Sequence, residues 1–570
     1  MLPATHAHVF HKALAVLVLG LLVGVSYFPA TMAGFVWDDL AFTAARPVQN
    51  LSGLWQIWFA PGNITNEGHY WPVLYSLFWL EHKLWGFAPA GYHIVNMLLH
   101  LIVTLLLWRL LLRLEVAGAW VAAAVFAVHP LHVESVAWVI GRKDPLAAGF
   151  YLACVLTYIR FVEDGHWWRY SCALGLFGLG LLSKSVVVTL PASLLIWHWW
   201  KQGRVTGTDL GRALPFLAVG LGVTVVDWLS YKSLEHVVFD YSVIERGLIA
   251  ARAWWFYISK LVWPSELAVI YPRWEVGTGG ALAWGCVAAT VAVAALLWVS
   301  RHRTGRGPMA GALFFTVTLS PMLGFVDYGY MQFAFVADRY QYLAGAGVIA
   351  VLVGAAASGT RRLPDTWRTI VPVVVTVVVV ACLGTITWHQ AAIYKDEGTF
   401  FRRVAALNPA ARFAHYNLGR EYQRQGRLEE ALVAYRTEYR FARATPNDPA
   451  RIGYAQLGMG AIAEMQGRFE DAETHYKSGS LYNEMAFHRL AGLWIRQERY
   501  HEAIDLYQTF IKRNPSNAGL YSDMGVALLK LKRYDEALRS FEQALALDPY
   551  LKNAQDNRAT LLTFLKNNGE

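Results

Sequence analysis

Apolar positions come in long uninterrupted blocks over the first 390 residues and at helical spacing, between charged positions, over the rest. Blocks near 13–33, 93–113, 119–128, 146–162, 171–182, 186–200, 213–229, 281–300, 309–325, 340–357 and 370–388 each read as a membrane-crossing helix, about eleven in all. The segment 248–263 would spoil the parity of the crossings, so it reads as a re-entrant or interfacial helix. The block at 13–33 is long enough to span and is followed by many more, which favours a retained first helix over a cleaved signal. Between the first two blocks, residues 34–92 hold Trp, Tyr and Phe among few charges, as in "LWQIWFAPG" and "HYWPVLYSLFWLEHKLWGF". Such a loop suits helices at the membrane interface, where rings bury their bodies and keep polar edges wet.

After Trp388 the period changes. Small, aromatic and proline positions repeat four times: Leu418, Gly419, Tyr422, Gly426, Ala431 and Tyr435; then Gly460, Gly467, Phe469, Ala472 and Tyr476; then Tyr500, Ala503, Tyr507, Phe510 and Pro515; then Gly525, Tyr534, Ala537, Phe541, Ala544 and Pro549. Ala503 and Ala537 are 34 residues apart, the tetratricopeptide period. Wider spacing between the first two copies places an insertion near 445–451, and "FFRRVAALNPA" reads as a half-repeat joining the solenoid to the last membrane helix. The fold class is therefore all-α: a polytopic membrane bundle over 1–390 and a tetratricopeptide α-solenoid over 391–570.

Composition agrees with a membrane protein: 55% of the 570 residues are hydrophobic and 16% charged. The net charge of +9 is scattered over short connections, including Lys201, Arg204, 301–306 and 361–368, so it reads as cytoplasmic loop charge and not as a nucleic-acid surface. With those connections cytoplasmic, the loop carrying Asp38 and Asp39, the loop from His129, Lys184, Arg339 and the repeats all fall on the extracytoplasmic side. The four cysteines lie far apart in apolar runs, which indicates neither a disulfide framework nor a thiolate metal site.

Four stretches carry candidate chemistry: "WDD", "HPLHVESVAWVIGRKD", "LLSKS" and "ADRYQYL". Together with the repeats they resemble the transmembrane and tetratricopeptide-containing O-mannosyltransferases, and behind them the polyprenyl-phosphate-sugar-dependent glycosyltransferases of the GT-C fold, here as a bacterial member. The resemblance covers nearly the whole chain. It implies transfer of a sugar from a polyprenyl phosphate to an acceptor hydroxyl, with an acidic residue of the first external loop as base. Asp38 and Asp39 are then the catalytic candidates, since a desolvated carboxylate beside a second one has a raised pKa suited to taking a proton. An aspartate is also a preferred helix N-cap, and one of the pair is expected to cap the helix that follows.

A departing lipid phosphate needs cations and donors on the same side. Arg142, Lys184 and Arg339 are the candidates, with Lys143 ranked after them. Lys184 alternatively snorkels to the interface, and Arg339 pairs with Asp338. His129, His132, Glu134 and Asp144 are candidates for sugar or acceptor contacts, as is the pair Tyr271 and Trp274, whose rings offer a stacking surface or an interfacial anchor. Two histidines and a carboxylate within six residues also admit a divalent metal, but the family implied here needs none, so no cofactor is expected beyond the lipid-linked sugar.

The leading functional reading is protein O-glycosylation of Ser or Thr hydroxyls at the cytoplasmic (inner) membrane, on its extracytoplasmic side, with the repeats holding the acceptor polypeptide. A glycan or lipid acceptor is the first alternative. A non-catalytic membrane scaffold built around the repeats is the second.

Overall fold

The computed structural model describes residues 4–60, 68–230, 239–444 and 448–568. Among them all regular structure is helical. The chain divides into two compact units, Met1–Ala411 and Arg412–Glu570. The division falls later than the change of composition at Trp388, because the amphipathic helix Glu397–Leu407 buries Phe400, Phe401 and Val404 within the first unit.

Five helices of the first unit have the length and apolarity of a membrane span: Pro89–Arg113, Val139–Asp164, Gly207–Asp227, Ala281–Thr304 and Asp365–Lys395. A sixth arises if Ala119–Ala127 and Pro130–Ala137, bent by 51°, count as one. The expected eleven crossings are not met by helices of full length, and the reason is local. Trp167–Leu181 and Gly345–Gly359 have 15 residues each, and Leu190–Gln202 and Gly307–Leu319 have 13. A 15-residue helix rises about 22 Å, short of a hydrocarbon core of about 30 Å. Two motif stretches break these runs: Ser185–Thr189 and Asp338–Gln341 are tight 3-10 turns ahead of the short helices Leu190–Gln202 and Gly345–Gly359.

The apolar windows of Ala281–Thr304 and Asp365–Lys395 bury nothing inside the protein. Helices that stay apolar all round while leaving those windows uncovered demand an apolar solvent, so the first unit is a multi-pass membrane bundle. Val243–Val262, expected as interfacial, carries Glu245, Arg246, Arg252 and Lys260 and is not among the spans. It buries only one face, through Leu248, Ala253, Tyr257 and Leu261. In the first loop, Gly53–Phe59 and Pro72–Trp85 are helical, and 61–67 lie outside the described residues.

The second unit is four antiparallel helix pairs, from Ala414–Arg424 with Leu428–Ala444 to Ala518–Lys530 with Tyr534–Leu547, and a further helix, Lys552–Asn568. The repeat glycines are small because a ring fills their place. A Cβ on Gly460 would meet the Tyr476 ring at 2.6 Å, and one on Gly525 the Phe541 ring at 2.6 Å. Of the insertion expected at 445–451, residues 445–447 lie outside the described residues. Arg451 begins the next helix and forms a buried ion pair with Glu438, Nε to Oε1 at 2.6 Å.

Candidate functional site

The "WDD" turn is held in an unfavourable backbone. Trp37 has a φ of 53°, which costs a residue with a Cβ about 1–2 kcal/mol. Its ring stacks on Trp138 at 5.2 Å with planes 12° apart and tilts against Phe400 at 5.9 Å. Ring pairs of this kind contribute about 0.5–1.5 kcal/mol each beyond their burial, enough to offset the strain. The turn thereby sends its two carboxylates in different directions.

Asp39 points inward and is fully buried. Its Oδ2 accepts from the Val36 amide and its Oδ1 from the Ile140 amide, both at 3.0 Å. Burial pushes its carboxyl up to about 7, opposed by those two N–H groups and Arg142 and reinforced by Asp38. Asp38 is only half-buried, and among the described residues no donor hydrogen-bonds to its carboxylate. Burial raises its pKa, and Lys143 and Arg339 oppose that rise. The expected N-cap is absent: Asp38 precedes the Asp39–Thr43 helix without a side-chain capping bond, and Asp39 bonds backward to Val36. The physical reason is the second anchor, which turns the Asp39 carboxylate toward Ile140 and away from the helix start.

The "GRKD" turn approaches closely because Gly141 has no side chain; a Cβ there would lie 2.3 Å from the Glu134 carbonyl oxygen. Arg142 is wholly buried. Its guanidinium pairs with Glu81, donates to the carbonyls of Tyr92 at 2.9 Å and Val139 at 3.2 Å, and covers the Phe78 ring at 4.5 Å. That leaves it enclosed, tying the motif to the first loop. Glu81 was not anticipated; the only signal for it is a lone acid in an aromatic run.

Lys184 of "LLSKS" pairs with Asp144 of "GRKD", and Arg339 of "ADRYQYL" pairs with Glu134. The Arg339 amide also donates to Glu134 Oε2 at 3.0 Å. The alternative pairing of Arg339 with Asp338 does not form; Asp338 instead accepts from the Tyr271 hydroxyl at 2.9 Å, and burial beside Glu134 raises its pKa. Lys184 and Arg339 meet on one ring, Tyr340, at 5.8 and 4.9 Å, and Arg339 also covers Tyr330 at 4.3 Å and Trp138 at 5.6 Å. The four motifs therefore converge. Asp38, Lys143, Arg339, Glu134, Asp144, Lys184 and Tyr271 belong to one continuous polar and aromatic cluster.

The remaining candidates are drawn elsewhere. His129 Nε2 contacts the Leu261 carbonyl at 3.1 Å, and His132 Nδ1 contacts that of Phe126 at 2.9 Å. Both rings are buried, and His132 packs against Phe126 and Tyr342. Among the described residues no three His, Cys, Asp or Glu side chains group as metal ligands. Trp274 leans on Phe335 at 5.8 Å under Arg252 and reaches Tyr271 through the Phe256 ring, without contacting the acids and cations of the cluster. A second contact missed by sequence lies at Asp227, which accepts from the Tyr70 amide at 2.6 Å and the Ser185 hydroxyl at 3.1 Å. It fastens the first loop to the "LLSKS" turn.

Fold and site define a multi-pass, all-α membrane protein in whose first unit the acids and cations of four motifs gather, followed by a second unit of repeated helix pairs. A family model described as dolichyl-phosphate-mannose-protein mannosyltransferase matches residues 69–231, and tetratricopeptide repeat models match 414–437 and 495–552. Protein O-mannosyl-transferase Tmtc1 of Drosophila melanogaster is 35% identical over 199 residues, 33% of this chain and 23% of that one. Protein O-mannosyl-transferase TMTC3 of Homo sapiens is 24% identical over 614 residues, 93% of this chain and 64% of that one. The chain thus spans less than two thirds of either relative's length. The crystal structure of YrrB, a tetratricopeptide protein, aligns with 29% of this chain and 84% of its own at 18% identity, with a TM-score of 0.24. The chain is thus similar to protein O-mannosyl-transferases and carries tetratricopeptide repeats.

Proposed function

We propose that this protein is a GT-C glycosyltransferase that moves a sugar from a polyprenyl phosphate to Ser or Thr hydroxyls of a polypeptide on the extracytoplasmic side of the inner membrane. The observation that carries the reading is the Asp38 carboxylate: half-buried, without a hydrogen-bond donor among the described residues, and facing Lys143 and Arg339. Relatives named as protein O-mannosyl-transferases favour mannose and a protein acceptor. No metal takes part in the proposed step.

Asp38 takes the proton of the acceptor hydroxyl as its oxygen attacks the anomeric carbon. The bond from that carbon to the phosphate oxygen breaks, and the electron pair leaves with the lipid phosphate. A single displacement inverts the anomeric centre. Arg339 and Lys184, at 4.9 and 5.8 Å from the Tyr340 ring, supply positive charge to the leaving phosphate, each already oriented by a carboxylate. Arg142 and Asp39 hold the turns that carry these groups, through Glu81 and Ile140 respectively. Glu134, Asp144 and Tyr271 act as orienting partners, and the repeats bind the acceptor polypeptide.

The test is transfer by the full-length protein, reconstituted with polyprenyl-phosphate mannose and a Ser/Thr-containing acceptor protein. Asp38→Asn is expected to fold and insert normally and to lose about 10²-fold or more in rate. Full activity in a folded Asp38→Asn protein would remove the proposed base.

A further inference from the structure

Two guanidinium groups share an aromatic platform away from the cluster around Asp38. Arg252, half-buried on the Val243–Val262 helix, lies 4.4 Å from the Trp274 ring centroid. Trp274 is 5.8 Å from Phe335. Arg273, exposed, lies 5.1 Å from Phe335 and 5.2 Å from Phe239, and its Nη2 donates to the Tyr241 hydroxyl at 2.6 Å. The platform is packed from behind by Ile249 and Met331.

These cations differ from their neighbours. Arg246, on the same helix, pairs with Asp327 at 2.8 Å, and Lys260 Nζ donates to the Ser265 carbonyl. Among the described residues, no carboxylate pairs with Arg252 or Arg273; Glu245, the acid nearest Arg252 in sequence, is engaged with Ser242 at the helix start, and Glu275, nearest Arg273, is exposed. A guanidinium shielded on an aromatic face, with no counter-ion, favours a phosphate, which its planar fork binds through two donors.

The surroundings select the source of that phosphate. Val243 and Ile244 begin the same helix at 86% and 55% exposure, and Val262 and Trp263 end it at 59% and 76%. Large apolar side chains left uncovered at both ends, on a helix with a charged flank, place it in the interfacial layer, where lipid headgroups lie. We propose that Arg252 and Arg273 form a binding site for the phosphate headgroup of a membrane lipid, seated against the Trp274 and Phe335 rings. An anionic phospholipid and a polyprenyl phosphate present the same chemistry here. The site is read by lipid retention alone, so it stands or falls apart from the sugar-transfer reading.

The experiment uses the full chain in nanodiscs of phosphatidylcholine doped with either phosphatidylglycerol or a polyprenyl phosphate, with bound lipid counted by native mass spectrometry. Charge-assisted contacts to a partly shielded phosphate contribute about tenfold each, so Arg252→Gln is expected to reduce retention about tenfold and Arg252→Gln/Arg273→Gln further. Arg303→Gln, in the last turn of the Ala281–Thr304 helix, should leave retention unchanged. Loss for both lipids supports a general headgroup site; loss for one alone supports the proposal and names the source. Arg273→Gln, at an exposed position, serves if the Arg252 variant misfolds. Unchanged retention of both lipids in a folded Arg273→Gln or double variant overturns the site.

Discussion

Two adjacent aspartates sit in opposite environments. Asp39 has both oxygens occupied by amides, whereas Asp38 lies near two cations with no donor bonded to it among the described residues. Asp39→Asn must aim an amide NH₂ at one of two N–H groups, and a buried unmet donor costs about 1–3 kcal/mol; thermal unfolding in detergent should show the loss. The folded pKa of Asp39, about 7, lies above its unfolded value of 3.8. The folded state therefore holds the proton more tightly, so this group contributes stability at low pH that declines as pH rises from about 4 to about 7 and then levels. Melting temperatures should accordingly separate: the decline across that window is expected in the native protein and flattened in Asp39→Asn. In the proposed mechanism, catalysis titrates through Asp38. Burial lifts Asp38, while Lys143 and Arg339 hold it down, so Lys143→Met should move the acid limb of kcat/KM to higher pH and Lys143→Arg should restore it. A limb unmoved in Lys143→Met would show that some other group takes the proton.

Helical turns, not long spans, position the site, and this explains what was legible beforehand. Motif residues were recognisable as motifs, and the repeat was recognisable because its contacts are local: Gly525 and Phe541 lie 16 positions apart on adjacent helices. Pairings across the bundle were not, because Ile140 is 101 residues from Asp39 and Arg339 is 205 from Glu134, and no sequence period encodes such distances. The count of eleven spans is not met by full-length helices for the same reason. Hydropathy counts apolar residues and cannot see that Ser185–Thr189 or Asp338–Gln341 tightens into a turn that shortens the following helix. The N-cap expectation treated Asp39 as a local residue when its partner was distant. If turns carry the site, Gly141→Ala should be severe for so small a change, because its Cβ meets backbone 2.3 Å away and not a yielding side chain. Overpacking of this kind costs about 1–3 kcal/mol or more. Both folding yield and melting temperature should fall, whereas Gly175→Ala, inside a helix with open space around it, should lower neither.

Across the whole molecule, two units with separate cores allow binding and chemistry to be separated by experiment. The repeat unit, Arg412–Glu570, has its own buried clusters around Tyr476, Phe487 and Phe541, and a solenoid of four pairs needs only its neighbours to fold. Expressed alone, it should unfold cooperatively by circular dichroism, and Leu561→Ala, which empties a buried position on the last helix, should lower its stability by about 2–5 kcal/mol. The first unit holds every residue of the Asp38 cluster. A chain ending at Ala411 should therefore retain transfer to a short Ser/Thr peptide at high concentration. Transfer to an extended protein acceptor should weaken through KM, since removing a remote binding surface removes uniform binding without touching the displacement itself. Equal loss of kcat on both acceptors would mean that the repeats act on the chemistry, and unchanged KM for the protein acceptor would remove them from acceptor binding.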